Sequence, residues 1–125
     1  MNFLDNLFII QSITETEDGF EAVVHCNADH PVYQAHFPGN PITPGACMLQ
    51  EASVLMQEKM GRPMFLKAAK NIKYLSLLIP AEGKLVKFIF SRVVENETEC
   101  KTQVVIADET SVYTKMSLTF SYEPL

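Results

Sequence analysis

Apolar residues dominate two stretches near the start of the chain, residues 7–14 and 20–26, with a few polar residues between them. Short apolar-rich runs bounded by turn residues are typical of strands. Residues 17–20 (EDGF) form a turn sequence between them, in which Gly19 can adopt a positive φ angle. These residues therefore predict a β-hairpin.

The second half of the chain is also rich in strand patterns. Its apolar stretches are separated by short turn sequences, and they predict strands over residues 64–78, 84–95, 97–107 and 111–122. Consecutive strands joined by tight turns pair antiparallel. The predicted order is two strands, a central segment and about four further strands.

The central segment has a different character. Residues 27–45 contain four prolines and two glycines, which exclude a regular helix or a central strand. We predict a stiff, irregular loop there. A helix is predicted over residues 45–60, with Thr43 as its N-cap, Pro44 at the first helical position and Gly61 at its end.

The first half of this helix, residues 45–49, is apolar on every side, so we expect the fold to enclose it. One antiparallel sheet wrapped around one long helix is an α+β architecture. The chain has 125 residues, which is the length of one domain, and we predict a single domain over residues 1–125.

Composition excludes several classes of protein. The apolar fraction of 47% and charged fraction of 20% are those of a globular protein rather than a disordered one. A net charge of −5 argues against non-specific nucleic-acid binding. The apolar runs are shorter than the roughly 20 residues that span a bilayer. We find no secretory signal, because the opening residues carry Asp5 and no basic residue, and we expect a cytoplasmic protein.

The cysteines and histidines show no metal-ligand spacing. Three cysteines without a CxxC pair, Cys26, Cys47 and Cys100, are expected to be reduced thiols. Cys47 lies in the apolar part of the helix and is expected to be a core residue rather than a nucleophile.

The segment with candidate chemistry is His36–Gly45, HFPGNPITPG. It places the His36 imidazole on a proline-rich loop that leads directly into the start of the helix. A helix N-terminus offers unpaired N–H groups and a positive dipole end. Gly45 has no side chain, so a substrate oxygen is expected to approach its N–H closely. A base and an oxyanion-stabilising group are two parts of a site for proton abstraction beside a carbonyl.

HFPGNPITPG resembles the HFPGxPxxPG motif of the beta-hydroxyacyl-acyl carrier protein dehydratases, and weaker similarity extends over residues 30–90. The resemblance implies a hotdog fold, in which an antiparallel sheet wraps around a long central helix, and a homodimer or an assembly of dimers. It implies that His36 is the catalytic base and that the Gly45 N–H polarises the thioester carbonyl. It implies no metal or redox cofactor.

The family's second catalytic group is an acidic residue fourteen positions after the histidine. That position is Gln50 here, and Glu51 follows it. Gln50 can hold the substrate hydroxyl or a water, but it cannot donate a carboxylic proton. Three interpretations remain open. His36 alone moves the proton in both directions, Glu51 acts through an altered local geometry, or the protein binds acyl thioesters without dehydrating them efficiently.

The favoured function is dehydration of a 3-hydroxyacyl thioester, carried on acyl carrier protein, to the trans-2-enoyl thioester in fatty acid or related acyl-chain synthesis. The alternatives are a hotdog thioesterase and a non-catalytic acyl-binding subunit. The residues expected to contact substrate are Phe37, Gly39, Ile42, Pro44, Ala46 and Glu51. Met48 and Leu49 are either tunnel lining or core.

Charge is distributed unevenly along the chain. Residues 1–58 hold eight acidic residues and no Lys or Arg, while residues 59–125 hold all ten basic residues. Five of these follow one another without an intervening acid: Lys59, Arg62, Lys67, Lys70 and Lys73. They form either a solvated edge strand or a docking patch for an acidic acyl carrier protein. Strand alternation would place Lys70 on the face opposite Lys67 and Lys73.

Overall fold

A computed structural model describes residues 4–35, 39 and 41–125. The elements formed by these residues are β1 (Phe8–Glu15), β2 (Phe20–Cys26), α1 (Val32–Ala35), α2 (Gly45–Met60), β3 (Phe65–Tyr74), β4 (Leu85–Glu95), β5 (Glu99–Ala107) and β6 (Val112–Ser121). Neither helix has the length and hydropathy needed to span a bilayer, within the described part of the chain.

The six strands form one antiparallel sheet in the order β1-β2-β4-β5-β6-β3. The hairpin β1–β2 forms one side of the sheet, and the crossover through α2 places β3 at the far edge beside β6. The predicted α+β architecture is confirmed. The two edges, β1 and β3, carry backbone groups that have no neighbouring strand within the described residues.

Alternate residues of each central strand face α2 and are buried. On α2 the buried positions are Cys47, Met48, Ala52, Leu55 and Met56. They pack in one core with aromatic side chains of the sheet, among them Phe20, Phe88, Phe90 and Phe120. The Phe20 and Phe90 rings stack with their centroids 4.2 Å apart. The helix and sheet therefore hold each other in place through one continuous apolar layer.

The sheet covers only one side of α2, so the expectation of an enclosed helix is wrong for an isolated chain. Ala46 and Gln50 are exposed although they lie in or next to the apolar first half. Part of the apolar surface of residues 45–49 is therefore not covered by any other described part of the chain. Cys47 does lie in the core, and all three cysteines are free and buried.

Two local predictions about the segment before α2 are also corrected. Residues 32–35 form the short helix α1, inside the stretch predicted to be entirely irregular. Pro44 is the N-cap of α2 and makes no side-chain capping bond. Thr43, the predicted N-cap, is one residue too early because its buried hydroxyl bonds to Tyr33 instead.

Candidate functional site

The central residue of the predicted site, His36, lies outside the described residues, as do Phe37, Pro38 and Asn40. The residues on either side are fixed. Tyr33 and Thr43 are 2% and 3% exposed, and their hydroxyl groups share a hydrogen bond of 2.9 Å. The Thr43 N–H also donates to the Leu78 carbonyl at 2.8 Å. The chain is therefore anchored to the core both before and after the motif's histidine.

A second histidine has a structural environment. The Val32 N–H donates to His30 Nδ1 at 3.0 Å, and His30 Nε2 lies 3.1 Å from the Asp5 carbonyl oxygen. His30 is buried, and these contacts join the amino-terminal segment to α1. The His30 ring therefore has a structural role, because it holds the amino-terminal segment and α1 together.

The start of α2 presents backbone donors, as predicted. Cys47 and Met48 make the first N–H bonds of the helix, both to the Pro44 carbonyl, at 3.0 and 3.3 Å. Gly45 and Ala46 precede these donors, so their N–H groups have no intrahelical acceptor. The positive end of the helix dipole adds to their electrostatic field. This end of the helix can stabilise negative charge on an oxygen.

The space beside Gly45 differs from the prediction. A Cβ atom on Gly45 would lie 2.6 Å from both Cζ and the hydroxyl oxygen of Tyr74. The absent side chain therefore makes room for a tyrosine ring, not only for a substrate. Sequence reasoning missed Tyr74, although a strand register that places it on the inner face of β3 would have identified it.

Gln50 lies on the outward side of α2 and borders two cavities. The first, of about 290 Å³, lies between α2 and the amino-terminal segment, and is called here the N-terminal cavity. The second, of about 410 Å³, lies between α2 and β3, and is called the β3 cavity. Gln50 is the one residue that lines both of these two cavities. An amide at this place can hydrogen-bond to a ligand in either.

Glu51 faces the N-terminal cavity, together with Asp5 and Cys47. Burial raises the pKa of the Glu51 carboxyl to about 8, so it holds its proton at neutral pH. The helix is continuous over Gly45–Met60, and successive side chains point about 100° apart. The described helix has no bulge that would bring Glu51 into the place of Gln50.

The other predicted substrate residues are distributed around the start of α2. Ala46 and Leu49 line the β3 cavity. Ile42 and Pro44 precede Ala46 in the chain and are half-buried. Gly39 is exposed and has a φ of 81°. Met48 is 3% exposed and belongs to the core.

The predicted basic patch is divided by contacts within the chain. Lys59 Nζ lies 2.8 Å from a Glu15 carboxylate oxygen. Lys67 pairs with Glu99, and the Arg62 guanidinium lies 3.6 Å from the centre of the Tyr122 ring. Three of the five predicted cations are thus engaged with other groups of the chain.

The remaining two, Lys70 and Lys73, share one face of β3. Lys70 pairs with Ser117 and Lys73 with Lys115, and the register shifts between the two lysines. Ser117 and Lys115 are two apart on β6 and therefore point the same way. The additional residue in β3 thus removes the alternation that would have separated Lys70 from Lys73. It also brings a third ammonium group, Lys115, directly opposite Lys73.

Residues 12–117 match the family described as ApeI-like, ApeI dehydratase. The chain belongs to this family. The match covers the second half of β1, the whole of β2 and α2, and most of the remaining sheet. It confirms the dehydratase resemblance and the hydro-lyase class predicted from HFPGNPITPG.

Two similar proteins are named as dehydratases. The 3-hydroxyacyl-acyl-carrier-protein dehydratase FabZ of Syntrophomonas wolfei is 26% identical over 110 residues, covering 81% of this chain and 76% of the relative. The dehydratase heterocomplex ApeI:P of Xenorhabdus doucetiae has a TM-score of 0.72 at 11% identity, over 91% of this chain and 97% of that one.

Thioesterase HI1161 of Haemophilus influenzae has a TM-score of 0.63 at 17% identity, over 91% of this chain and 76% of that one. At these identities the solved structures establish the fold alone. The predicted hotdog fold is confirmed for this member of the ApeI-like family.

Proposed function

We propose that this ApeI-like protein converts a 3-hydroxyacyl thioester, carried on an acyl carrier protein, to the trans-2-enoyl thioester and water. The observation that carries the proposal is the family match together with HFPGNPITPG, which leads directly into the unpaired N–H groups at the start of α2. The name of the FabZ relative supports the carrier-linked substrate.

In the proposed reaction, His36 removes a proton from the carbon next to the thioester carbonyl. The Gly45 N–H stabilises the negative charge that develops on the carbonyl oxygen. The bond from the β-carbon to the hydroxyl oxygen then breaks, and the electron pair of the former C–H bond forms the C=C bond. The leaving oxygen takes the proton back from the His36 imidazolium and departs as water, while the Gln50 amide holds it in position by hydrogen bonding.

We infer that two copies of the chain form a homodimer at the β3 side. An exposed apolar strip follows this edge of the sheet, formed by Ile72, Leu75, Leu77 and Ile79. The β3 cavity lies next to it and is open in a single chain. A second copy seated on the strip would bury it and enclose the cavity, whose apolar lining residues Ala46, Leu49 and Leu66 would then face the acyl chain.

We also propose a domain organisation and a cellular compartment for this protein. Strands from both halves of the chain join one sheet, which supports a single hotdog domain over residues 1–125. Three free, buried cysteines suit a reducing compartment, and we propose the cytoplasm.

The function is tested with purified protein and 3-hydroxyacyl carrier substrates of short, medium and long chain length. Dehydration produces the ultraviolet absorbance of the conjugated enoyl thioester without releasing a free thiol. Thiol release without enoyl absorbance would identify a thioesterase. Absence of both, with an intact thermal unfolding transition, would reject the enzymatic proposal.

A substitution at Gln50 distinguishes an enzyme from a non-catalytic binding subunit. We expect Gln50→Glu to give no gain in kcat/KM, with a decrease of up to about tenfold, because an ionised carboxylate cannot donate a hydrogen bond to the leaving oxygen as the amide does. The same change at the exposed residue Gln103, Gln103→Glu, controls for the added charge. A gain of about 100-fold or more at position 50 would show that the native site lacks its acid and that the protein acts by binding.

The carrier is expected to dock on Lys70, Lys73 and Lys115. Like charges directly opposite each other destabilise a sheet, and an acidic partner relieves their repulsion. The charge reversals Lys73→Glu and Lys115→Glu together should raise KM for the carrier-linked substrate about tenfold and leave a pantetheine-linked substrate unaffected. Lys59→Gln is the control, since Glu15 already pairs with that ammonium group. An equal rise in KM for both substrates would contradict docking at this surface.

A further inference from the structure

Tyr74 lies at the end of β3, on the face of the sheet that packs against α2. It pairs with Thr114 of β6, whose side chain is fully buried and whose hydroxyl lies 3.5 Å from the Met48 sulfur. Directly opposed residues of an antiparallel pair point to the same face. The Tyr74 ring therefore projects toward the helix and reaches its first residue, Gly45.

The backbone on both sides of this contact is fixed. The Leu75 N–H donates to the Tyr113 carbonyl at 2.8 Å, which continues the β3–β6 pairing past Tyr74. The Thr43 N–H donates to the Leu78 carbonyl, also at 2.8 Å. The segment before α2 and the segment after β3 are thus tied together, and the Tyr74 ring contacts Gly45 at the start of the helix.

The Tyr74 hydroxyl differs from the other three tyrosine hydroxyls of the chain. Tyr33 bonds to Thr43, Tyr113 to Asp108 and Tyr122 to Glu95. Tyr74 makes no such bond to any of the described residues, and it is 57% exposed. Its hydroxyl is therefore held next to Gly45 by packing and is available to a ligand.

We propose that Tyr74 is a further substrate-contacting residue, whose hydroxyl donates a hydrogen bond to the thioester carbonyl oxygen beside the Gly45 N–H. This inference rests on the proposed dehydration and adds a second donor to the same oxygen. The phenol keeps its proton throughout, so the donor acts by stabilising charge and not by transferring a proton. Donors of this kind act most strongly as negative charge develops in the transition state.

The variant Tyr74→Phe retains the ring on Gly45 and removes only the hydroxyl. It should lower kcat about 100-fold, as expected for the loss of one oxyanion donor, and raise KM by up to about tenfold because the ground-state contact with the carbonyl is also lost. The thermal midpoint and the oligomeric state should match those of the unmodified protein. The control Tyr113→Phe removes a hydroxyl that is bonded to Asp108, and it should change stability and leave kcat within about twofold.

A binding measurement separates this inference from the proposed function. Two pantetheine-linked 3-hydroxyacyl probes are compared by calorimetry: an amide, which contains the carbonyl, and a thioether that lacks it. The unmodified protein should bind the amide more tightly, and Tyr74→Phe should reduce this preference about tenfold.

If the protein binds with this preference and does not dehydrate, the proposed function fails and the Tyr74 contact stands. If the protein dehydrates and Tyr74→Phe has the same kcat and the same preference, the Tyr74 contact is overturned. Equal affinities of the unmodified protein for the two probes would also overturn it.

Discussion

Replacing His36 with alanine should lower kcat/KM for dehydration about 1,000- to 10,000-fold. Loss of a positioned general acid or base typically costs about 100- to 10,000-fold. The expected loss lies in the upper part of that range because position 50 is an amide, which leaves His36 to move the proton in both directions. No carboxyl at the family's usual position can take over either step.

The measurement is the rate of enoyl absorbance with the best of the carrier-linked substrates, at an enzyme concentration high enough to detect the residual rate. His25→Ala is the matched control, because His25 lies on β2 outside the motif. Binding of the amide probe should persist in His36→Ala. Retention of a tenth or more of the activity would assign the base to another residue.

Glu51→Gln should make the protein more stable at pH 8 by up to about 4 kcal/mol. The pKa of Glu51 is raised from 4.5 to about 8 by burial, so the folded state holds a proton that the unfolded chain releases above pH 4.5. The groups that face it in the N-terminal cavity are Asp5 and Cys47, and neither offers a positive charge. The neutral amide keeps the shape of the side chain and removes this proton dependence.

The sign follows from the raised pKa. The stability associated with protonated Glu51 is fully present below pH 4.5 and is lost as the pH rises to about 8. Urea unfolding at pH 4, 6 and 8 should therefore show a widening advantage for Glu51→Gln. Glu58→Gln, at an exposed position of the same helix, is the control and should show little difference. A constant difference across the three pH values would contradict a buried, protonated Glu51.

The strands and the long helix were predictable because each has a local signal. Short apolar-rich runs between turn sequences mark the strands, and Gly61, which has a left-handed φ of 69°, marks the end of α2. The N-cap of α2 was predicted one residue too early, at Thr43 instead of Pro44. A capping preference is a local signal, whereas the Thr43 hydroxyl bonds to Tyr33, ten positions earlier in the chain.

The site was predictable only where the motif carries it. HFPGNPITPG identified the start of α2, but it contains no information about β3, which contributes Tyr74 through a pairing with β6. The exposed side of α2 was also misjudged, since an apolar sequence does not say whether its cover belongs to the same chain. Contacts between distant segments decide both features, and a single sequence does not display them.

The register shifts in β3 have a consequence for changes in chain length. They occur between Leu66 and Ala68 and between Lys70 and Lys73. Deleting one of the two residues between Lys70 and Lys73 would remove the bulge and leave these lysines two positions apart, so both would keep their partners on β6 and still face the same way. Tyr74 would likewise stay opposite Thr114. A deletion within the regularly paired segment 68–70 would instead reverse the side chains on one side of it. The bulge is therefore the place where this strand can lose a residue without exchanging its carrier-facing and helix-facing groups.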